Sequence, residues 1–372
     1  MRLFYVDTAQ AVYGGLERII AEKMKLFSVE CGYEVHYVTI NQGSIPMPYP
    51  LDSSINHHDL GVNLYLIYHY KGIMRFIRMI QKELRFIIRL QRLIRNVHPD
   101  VIIIPRLEIW EVFMCSGRIP VVFESHNMCK GSSFELKTYG NRQREKFLRL
   151  MVRRAEKIVS LTEGDAADWS YYNSHVCVIP NIVHLNQTGH YSSLDSKSAI
   201  FVGRSCFQKD IPSLLQIWRL VHRRHPDWEL HIYGHDSDGK GFLKDDEMDL
   251  ANIFVHAPTS SIMDRFLDSS MLLMTSVYEP FGLVLPESMS CGLPVIAFDC
   301  PYGPAEIITD GEDGFLIRNR DIQAFADRVC QLIDSKELRL QMGKKAIASS
   351  LRYSSQRVLP QWKMLFNEVL EK

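Results

Sequence analysis

Glu279 and Glu287 stand with seven residues between them in the run of this chain that is richest in chemically useful side chains, SVYEPFGLVLPESMSCGLPVIAFDCPYGPAEIITDGEDGFL, residues 276–316. A pair of glutamates at that spacing is weak by itself, because short patterns recur by chance. The surroundings make it specific. Met271–Thr275 reads as a strand, Pro280-Phe281-Gly282 as a turn, and Leu283–Cys291 as a helix ended by Gly292-Leu293-Pro294, with a further strand at Val295–Phe298. A helix opening at Gly282–Val284 offers free backbone N–H groups and the positive end of a dipole, which suits a phosphate. Glu279 would then stand beside whatever the phosphate carries. Glu287, one to two turns into the helix, would accept from a vicinal diol such as ribose. A packed βαβ unit with two solvated carboxylates would show the same residues.

A second constellation is Val202-Gly203-Arg204 followed by Lys209. A strand, Ala199–Val202, ends in glycine, and two cations follow in one loop. Arginine supplies a planar fork and lysine a point charge, both fitted to a diphosphate leaving group; an ordinary surface loop is the alternative. In the amino-terminal half, the strand Leu3–Val6 leads to Gly14-Gly15 and a helix from about Leu16, a place where backbone could approach a ligand closely or simply turn. No G-x-G-x-x-G is present, which counts against a dinucleotide-binding dehydrogenase. Ser125-His126-Asn127 follow the strand Val121–Glu124; His126 could meet a sugar hydroxyl or an acceptor, or be a hydrogen-bonded structural histidine.

The stretch KGIMRFIRMIQKELRFIIRLQRLIR, residues 71–95, places cations at 71, 75, 78, 82, 85, 89, 92 and 95, one helical stripe opposed only by Glu83. Ile73, Phe76, Ile77, Ile80, Leu84, Ile87, Ile88 and Ile94 form its apolar side. Such a helix can lie on an anionic lipid surface, each cation near the lipid contributing about 1 kcal/mol. Arg75, Arg78, Lys82, Arg85, Arg89 and Arg92 are the expected membrane contacts. The alternative is a core-packed helix with a solvated basic face. Further cations follow at Arg142, Arg144, Lys146, Arg149, Arg153 and Arg154.

The elements that must position these groups alternate between short strand-like and longer helical runs, the pattern of parallel α/β sheets. Strand candidates in the first half are Leu3–Val6, Val35–Ile40, Val101–Ile104, Val121–Glu124, Ile158–Leu161 and Val176–Ile179. In the second they are Ala199–Val202, Leu230–Tyr233, Ile253–His256, Met271–Met274 and Val295–Phe298. The polar, aperiodic Asn181–Lys197 reads as a linker. The expected domains are therefore residues 1–185, joined by a final helix at 356–372, and residues 196–355. Two doubly wound domains would face a central cleft, and their ligands belong at the carboxyl ends of the strands.

Composition bounds the rest. Lys+Arg and Asp+Glu both count 43 in 372 residues, so there is no general charge to attract nucleic acid. The balance hides a split: residues 1–190 hold 23 basic against 18 acidic residues, and the remainder 20 against 25. The eight cysteines include no C-x-x-C, which points away from zinc or a disulfide framework and towards a reducing, cytoplasmic setting. The opening MRLFYVDTAQ has no apolar leader core, and no run is long and apolar enough to span a bilayer.

Taken together, these residues resemble the retaining GT-B glycosyltransferases of the glycosyl transferases group 1 family, the bacterial polysaccharide and lipopolysaccharide type. The resemblance runs through Gly14-Gly15-Leu16-Glu17-Arg18, His98-Pro99-Asp100, Ile179-Pro180-Asn181, Val202-Gly203-Arg204 with Lys209, and the Glu279/Glu287 segment ending in Gly311-x-x-Gly314. It implies two Rossmann-like domains, a nucleotide-sugar donor in the second, an acceptor mainly in the first, and a carboxy-terminal helix crossing back. By the family pattern Arg204 and Lys209 bind the donor diphosphate, Glu279 lies against the transferred sugar, and Glu287 holds the ribose. Backbone amides of Phe281, Gly282, Leu283 and Val284 assist, Gly15 closes from the other domain, and His126 contacts the sugar or acceptor. Pro280 and Ser288 stand where the family usually has Gly and Ala, PNIVH replaces the commoner PNGVD, and Gly234-His235-Asp236 lacks the usual second glycine. Pro280 also removes one backbone donor.

The implied activity is transfer of a hexosyl-type sugar, with retention, from a UDP-sugar to a hydroxyl of a lipid-linked glycan at the inner face of the membrane. UDP is chosen only as the commoner donor in such families. The departing phosphate deprotonates the acceptor, and Arg204 and Lys209 do the work that a divalent metal does in other transferases, so no cofactor and no metal are expected. The competing readings are an epimerase on the same fold and an inactive nucleotide-sugar-binding partner of a synthesis complex.

Overall fold

The computed structural model describes residues 1–11, 14–63, 66, 69–130, 149–234 and 252–371. Arg142, Arg144 and Lys146 of the second cationic run, and His235 and Asp236, lie outside the described residues. The chain divides into two compact units, Met1–Ile182 with Val358–Lys372, and Val183–Arg357.

The first unit is built on seven parallel strands, β1 (Arg2–Asp7), β2 (Glu34–Thr39), β3 (Ile55–Asp59), β4 (Val101–Ile104), β5 (Val121–Glu124), β6 (Lys157–Ser160) and β7 (Val176–Val178), in the order 3-2-1-4-5-6-7. Among the described residues its helices include α1 (Gly15–Val29), α2 (Gly72–Val97), α3 (Val112–Cys115) and α4 (Glu163–Ser170). Strands such as VIII at 101–104 are buried throughout, because each face of a parallel sheet is covered. Phe4, Val6, Ile102 and Ile104 face one layer with Phe86, Leu90 and Ile94 of α2, while Leu3, Tyr5 and Ile103 face the other with Ile20, Met24 and Phe27 of α1. The period of two along each strand sorts the residues between the layers.

The second unit has six parallel strands, β8 (Ser198–Val202), β9 (Glu229–Tyr233), β10 (Ile253–His256), β11 (Met271–Met274), β12 (Val295–Asp299) and β13 (Gly314–Arg318), in the order 10-9-8-11-12-13. Its helices are α5 (Ile211–Arg224), α6 (Ile262–Leu267), α7 (Val284–Ser290), α8 (Gly303–Ile307), α9 (Ile322–Asp334) and α10 (Lys336–Ser350). The final helix, α11 (Ser355–Leu370), returns to the first unit. There Trp362 and Phe366 meet Phe27 edge-on, with ring centroids 5.6 and 5.4 Å away.

Two readings of the sequence need correction. Asn181–Lys197 is not a free linker: from Val183 onward it belongs to the second unit. Ser192 donates to the Ser269 carbonyl at 2.6 Å, its N–H reaches the Cys291 carbonyl at 2.9 Å, and the Leu194 carbonyl accepts from Arg339 at 3.0 Å. Its polar side chains serve local hydrogen bonds, which removes the apolar periodicity that would have marked it as structured. The sheets also gain β3 and β13, neither of which was expected.

Candidate functional site

In each sheet the strand order reverses beside the first strand, between β1 and β4 in one and between β8 and β11 in the other. Such a switch point separates the loops after two neighbouring strands and leaves a crevice for a ligand. The loop after β8 carries Arg204 and Lys209, and the loop after β11 carries Glu279.

Those two loops meet. Lys209 Nζ lies 2.6 Å from Glu279 Oε2, and both side chains are largely buried. Ser276 Oγ donates to the same carboxylate oxygen at 3.1 Å, and Gln208 Nε2 donates to the Tyr278 carbonyl at 3.1 Å. The Val277 N–H returns a bond to the Gln208 carbonyl at 2.7 Å, so the two loops are tied through backbone as well. Arg204 is exposed in the same loop, and among the described residues no ion pair engages it.

The chain then turns at Gly282, whose φ of +95° belongs to glycine, and a Cβ there would sit 3.1 Å from Glu279 Cγ. Phe281 is buried and meets Tyr353 edge-on at 5.3 Å. The α8 start packs so tightly on this turn that a Cβ at Gly303 would fall 1.8 Å from the Phe281 carbonyl oxygen. Leu283 is the cap residue of α7, Val284 its first residue, and Glu287 lies buried within it. The structure thus brings Lys209, Glu279, Phe281, Gly282, Leu283, Val284 and Glu287 into one unit, with Arg204 in the adjoining loop.

The remaining expected site residues belong to the first unit. Gly15 opens α1 behind an extended Gly14. His126 follows β5, but its ring is turned inward, with Nε2 3.1 Å from Glu124 Oε1. Burial and the nearby Lys23 cation hold its pKa well below that of an ordinary histidine, so it is neutral. It can serve as a hydrogen-bond partner but not as a cation. Glu124 also pairs with the buried Lys23 and accepts from Tyr5 Oη at 2.9 Å. At the switch point, Arg106 bridges Asp7 at 2.8 Å and Glu17 at 3.0 Å. Burial raises the Asp7 pKa against the lowering effect of Arg106.

Sequence reasoning missed Gln208, Ser276, Asp7, Glu17, Lys23, Arg106 and Glu124. One signal was present: Asp7, Glu124 and Ser276 each close or directly follow an apolar strand, at the end where such sheets place ligands.

The cations of α2 divide. Lys82 Nζ donates to the carbonyls of Val62, at 3.0 Å, and Asn63; Arg89 donates to those of Leu60 and Gly61. These two fasten the helix to the chain after β3, Lys82 half-buried and Arg89 still exposed. Arg78 donates to Gln81 at 3.1 Å, and Arg75, Arg78, Arg85 and Arg92 are all exposed. Only Phe86, Leu90 and Ile94 of the helix are buried. Ile73 is 78% exposed and Leu84 53%, and Phe76, Ile77, Ile80 and Ile88 are exposed with them, an apolar ridge that the core does not use.

Fold and site together define a tandem, doubly wound α/β protein with a cation–carboxylate cluster at the switch point of its second sheet. Residues 188–349 match the family model of glycosyl transferases group 1, and residues 13–187 match that of glycosyltransferase family 4. The two matches together run from residue 13 to residue 349, so nearly the whole chain is similar to glycosyltransferases of these two kinds. It is 28% identical over 369 residues to the amylovoran biosynthesis glycosyltransferase AmsD of Erwinia amylovora, covering 95% of this chain and 96% of that one. Among solved structures it is similar to a Staphylococcus aureus TarM mutant in complex with fondaparinux, alpha-GlcNAc-glycerol and UDP, with a TM-score of 0.76, 17% identity, and coverage of 98% and 99%. The lipopolysaccharide outer core galactosyltransferase WaaB superposes with a TM-score of 0.72 at 17% identity, covering 98% of each chain. The fold is GT-B.

Proposed function

We propose that the enzyme transfers a hexosyl-type sugar, with retention, from a UDP-sugar to a hydroxyl of a bacterial surface glycan carried on lipid, at the inner face of the cell membrane. The observation that carries the reading is the meeting of Lys209 and Glu279 at a switch point, one group made for a phosphate and one for a sugar hydroxyl. The UDP in the TarM complex supports the donor, and the names of AmsD and WaaB support a polysaccharide or lipopolysaccharide acceptor.

In this reading Arg204 and Lys209 neutralise charge as the diphosphate departs, an electrostatic role stronger in a water-poor site than in bulk solvent. Glu279 orients the sugar, Glu287 accepts from the ribose, and the amides of Phe281–Val284 face the phosphate and sugar. The departing phosphate oxygen takes the proton of the acceptor hydroxyl as the new glycosidic bond forms on the face it leaves. The two cations make a divalent metal unnecessary, so turnover should persist in excess chelator. The apolar ridge and exposed cations of α2 supply the contact with anionic lipid.

The test is a thermal-shift screen against UDP, GDP, ADP and CMP, with Glu287→Ala and Arg204→Ala alongside. Ligand at 100 times its Kd adds about 2.7 kcal/mol, enough to raise the melting temperature by several degrees. UDP should shift the parent protein and neither variant. A shift by another nucleotide alone would overturn the donor assignment, and an unchanged response in both variants would overturn the site.

A further inference from the structure

Lys209 ends a 3₁₀ turn, Phe207–Lys209, and the next residue, Asp210, is left-handed with φ 45° and ψ 56°. Arg320, two residues beyond β13, is left-handed as well, with φ 71°. Aspartate tolerates that region, whereas arginine has no such preference. These two residues meet. Arg320 Nη1 pairs with Asp210 Oδ2 and comes within 3.5 Å of the Thr275 carbonyl, while its guanidinium lies 5.4 Å from the centre of the Phe298 ring. The Thr275 hydroxyl, fully buried at the end of β11, lies 3.0 Å from the Lys209 carbonyl and 3.2 Å from that of Asp210. Asp210 also caps α5, accepting from the Ser213 N–H at 3.4 Å.

The backbone that follows the Lys209 Cα is therefore held from two directions, by the end of β11 and by the chain after β13. A lysine side chain is long and flexible, and it can aim its ammonium reproducibly only from a fixed base. We propose that Asp210, Thr275 and Arg320 are positioning residues for Lys209: they lock the turn that presents its ammonium beside Glu279 to the donor diphosphate. This rests on the donor role given to Lys209 above, and the experiment separates the two.

UDP is the probe, and its Kd is measured by calorimetry for Arg320→Ala, Arg320→Lys and Thr275→Val, each in the parent protein and again with Lys209→Ala. Misplacing one binding group by about an ångström is costly, so Arg320→Ala and Thr275→Val should each weaken UDP about five- to tenfold. Arg320→Lys should recover most of the loss. With Lys209→Ala already present, the same changes should cost less than about twofold, the signature of groups that act through one another. Equal losses in both backgrounds would overturn the proposal, because a general weakening of the fold is indifferent to Lys209. So would an unchanged Kd in the parent protein. Thr275→Val preserves shape, and it decides the matter if Arg320→Ala does not fold. If Lys209→Ala binds UDP as well as the parent, or the parent does not bind it, the donor role fails and the positioning role falls with it.

Discussion

Lys209 and Glu279 hold each other at 2.6 Å, and each lessens the other's attraction for a ligand. This competition predicts a split for Glu279→Gln. The amide keeps the shape and can still accept from Ser276, but it frees the ammonium for phosphate. UDP should bind as tightly as before or several-fold more tightly, while kcat falls by about a hundredfold, the scale of losing one oriented polar group at a reacting centre. Calorimetry and steady-state rates check the two halves separately; parallel loss of affinity and rate would mean that Glu279 merely supports the loop. Arg204, Lys209, Glu279 and Glu287 were legible in the sequence because each follows a recognisable strand-and-turn pattern. The charges of the first unit were not. Arg106 finds Asp7 and Glu17 from about ninety or more positions away, and Lys23 finds Glu124 from about a hundred. Only the sheet order brings such partners together, and no local spacing encodes it.

At the level of elements, strands that are apolar throughout announced themselves. β3 did not: INHHD buries Ile55 and leaves most of its length exposed at a sheet edge. β13, GFLIR, begins on the second glycine of Gly311-x-x-Gly314, and the glycines drew the reading towards a motif end. The helix α2 was legible as a helix, but its contacts were not. Sequence spacing treats its cations alike, whereas Lys82 and Arg89 are spent on carbonyls and the apolar ridge faces outward. No helix among the described residues is long and apolar enough to cross a membrane. Ile77→Asp combined with Leu84→Asp should abolish flotation with vesicles containing anionic lipid and change stability by less than about 0.5 kcal/mol per exposed site. Arg85→Glu with Arg92→Glu should weaken flotation and leave what remains less sensitive to salt. Arg89→Ala should instead lower the melting temperature. Flotation that is indifferent to anionic lipid, or to the two aspartates, would sink the lipid-contact reading.

Over the whole molecule, one polar device occurs twice. In the first unit His36 Nδ1 lies 2.9 Å from His58 Nε2, the rings stack at 5.2 Å, and Glu34 meets the far nitrogen of His36 at 3.1 Å. In the second, His231 stands 2.9 Å from His256, with the same 5.2 Å stacking and Glu229 at 3.1 Å. Each pair joins the outermost strand of its sheet to its neighbour, β3 to β2 and β10 to β9. Two nitrogens that close share a single proton well and two protons badly. Burial and the neighbouring histidine lower the pKa of His58 and of His256, burial lowers that of His57, and His126 lies well below the ordinary value. For all four the unfolded chain takes up protons at higher pH than the folded one. Their contribution to stability is therefore complete above about pH 6.5, the ordinary histidine value, and is lost as pH falls through the lowered folded values. Asp7 and Asp165, raised by burial, act in the opposite sense. The melting temperature should drop by about 2–4 °C between pH 7.5 and 5.5, the response of a chain this size to a change of one to two kcal/mol. His58→Gln with His256→Gln should flatten that slope, since an amide can bridge the same strands without titrating. A parent protein whose melting temperature is level across that range, or a double variant with the parent's slope, would show that the strand-edge pairs do not set its acid sensitivity.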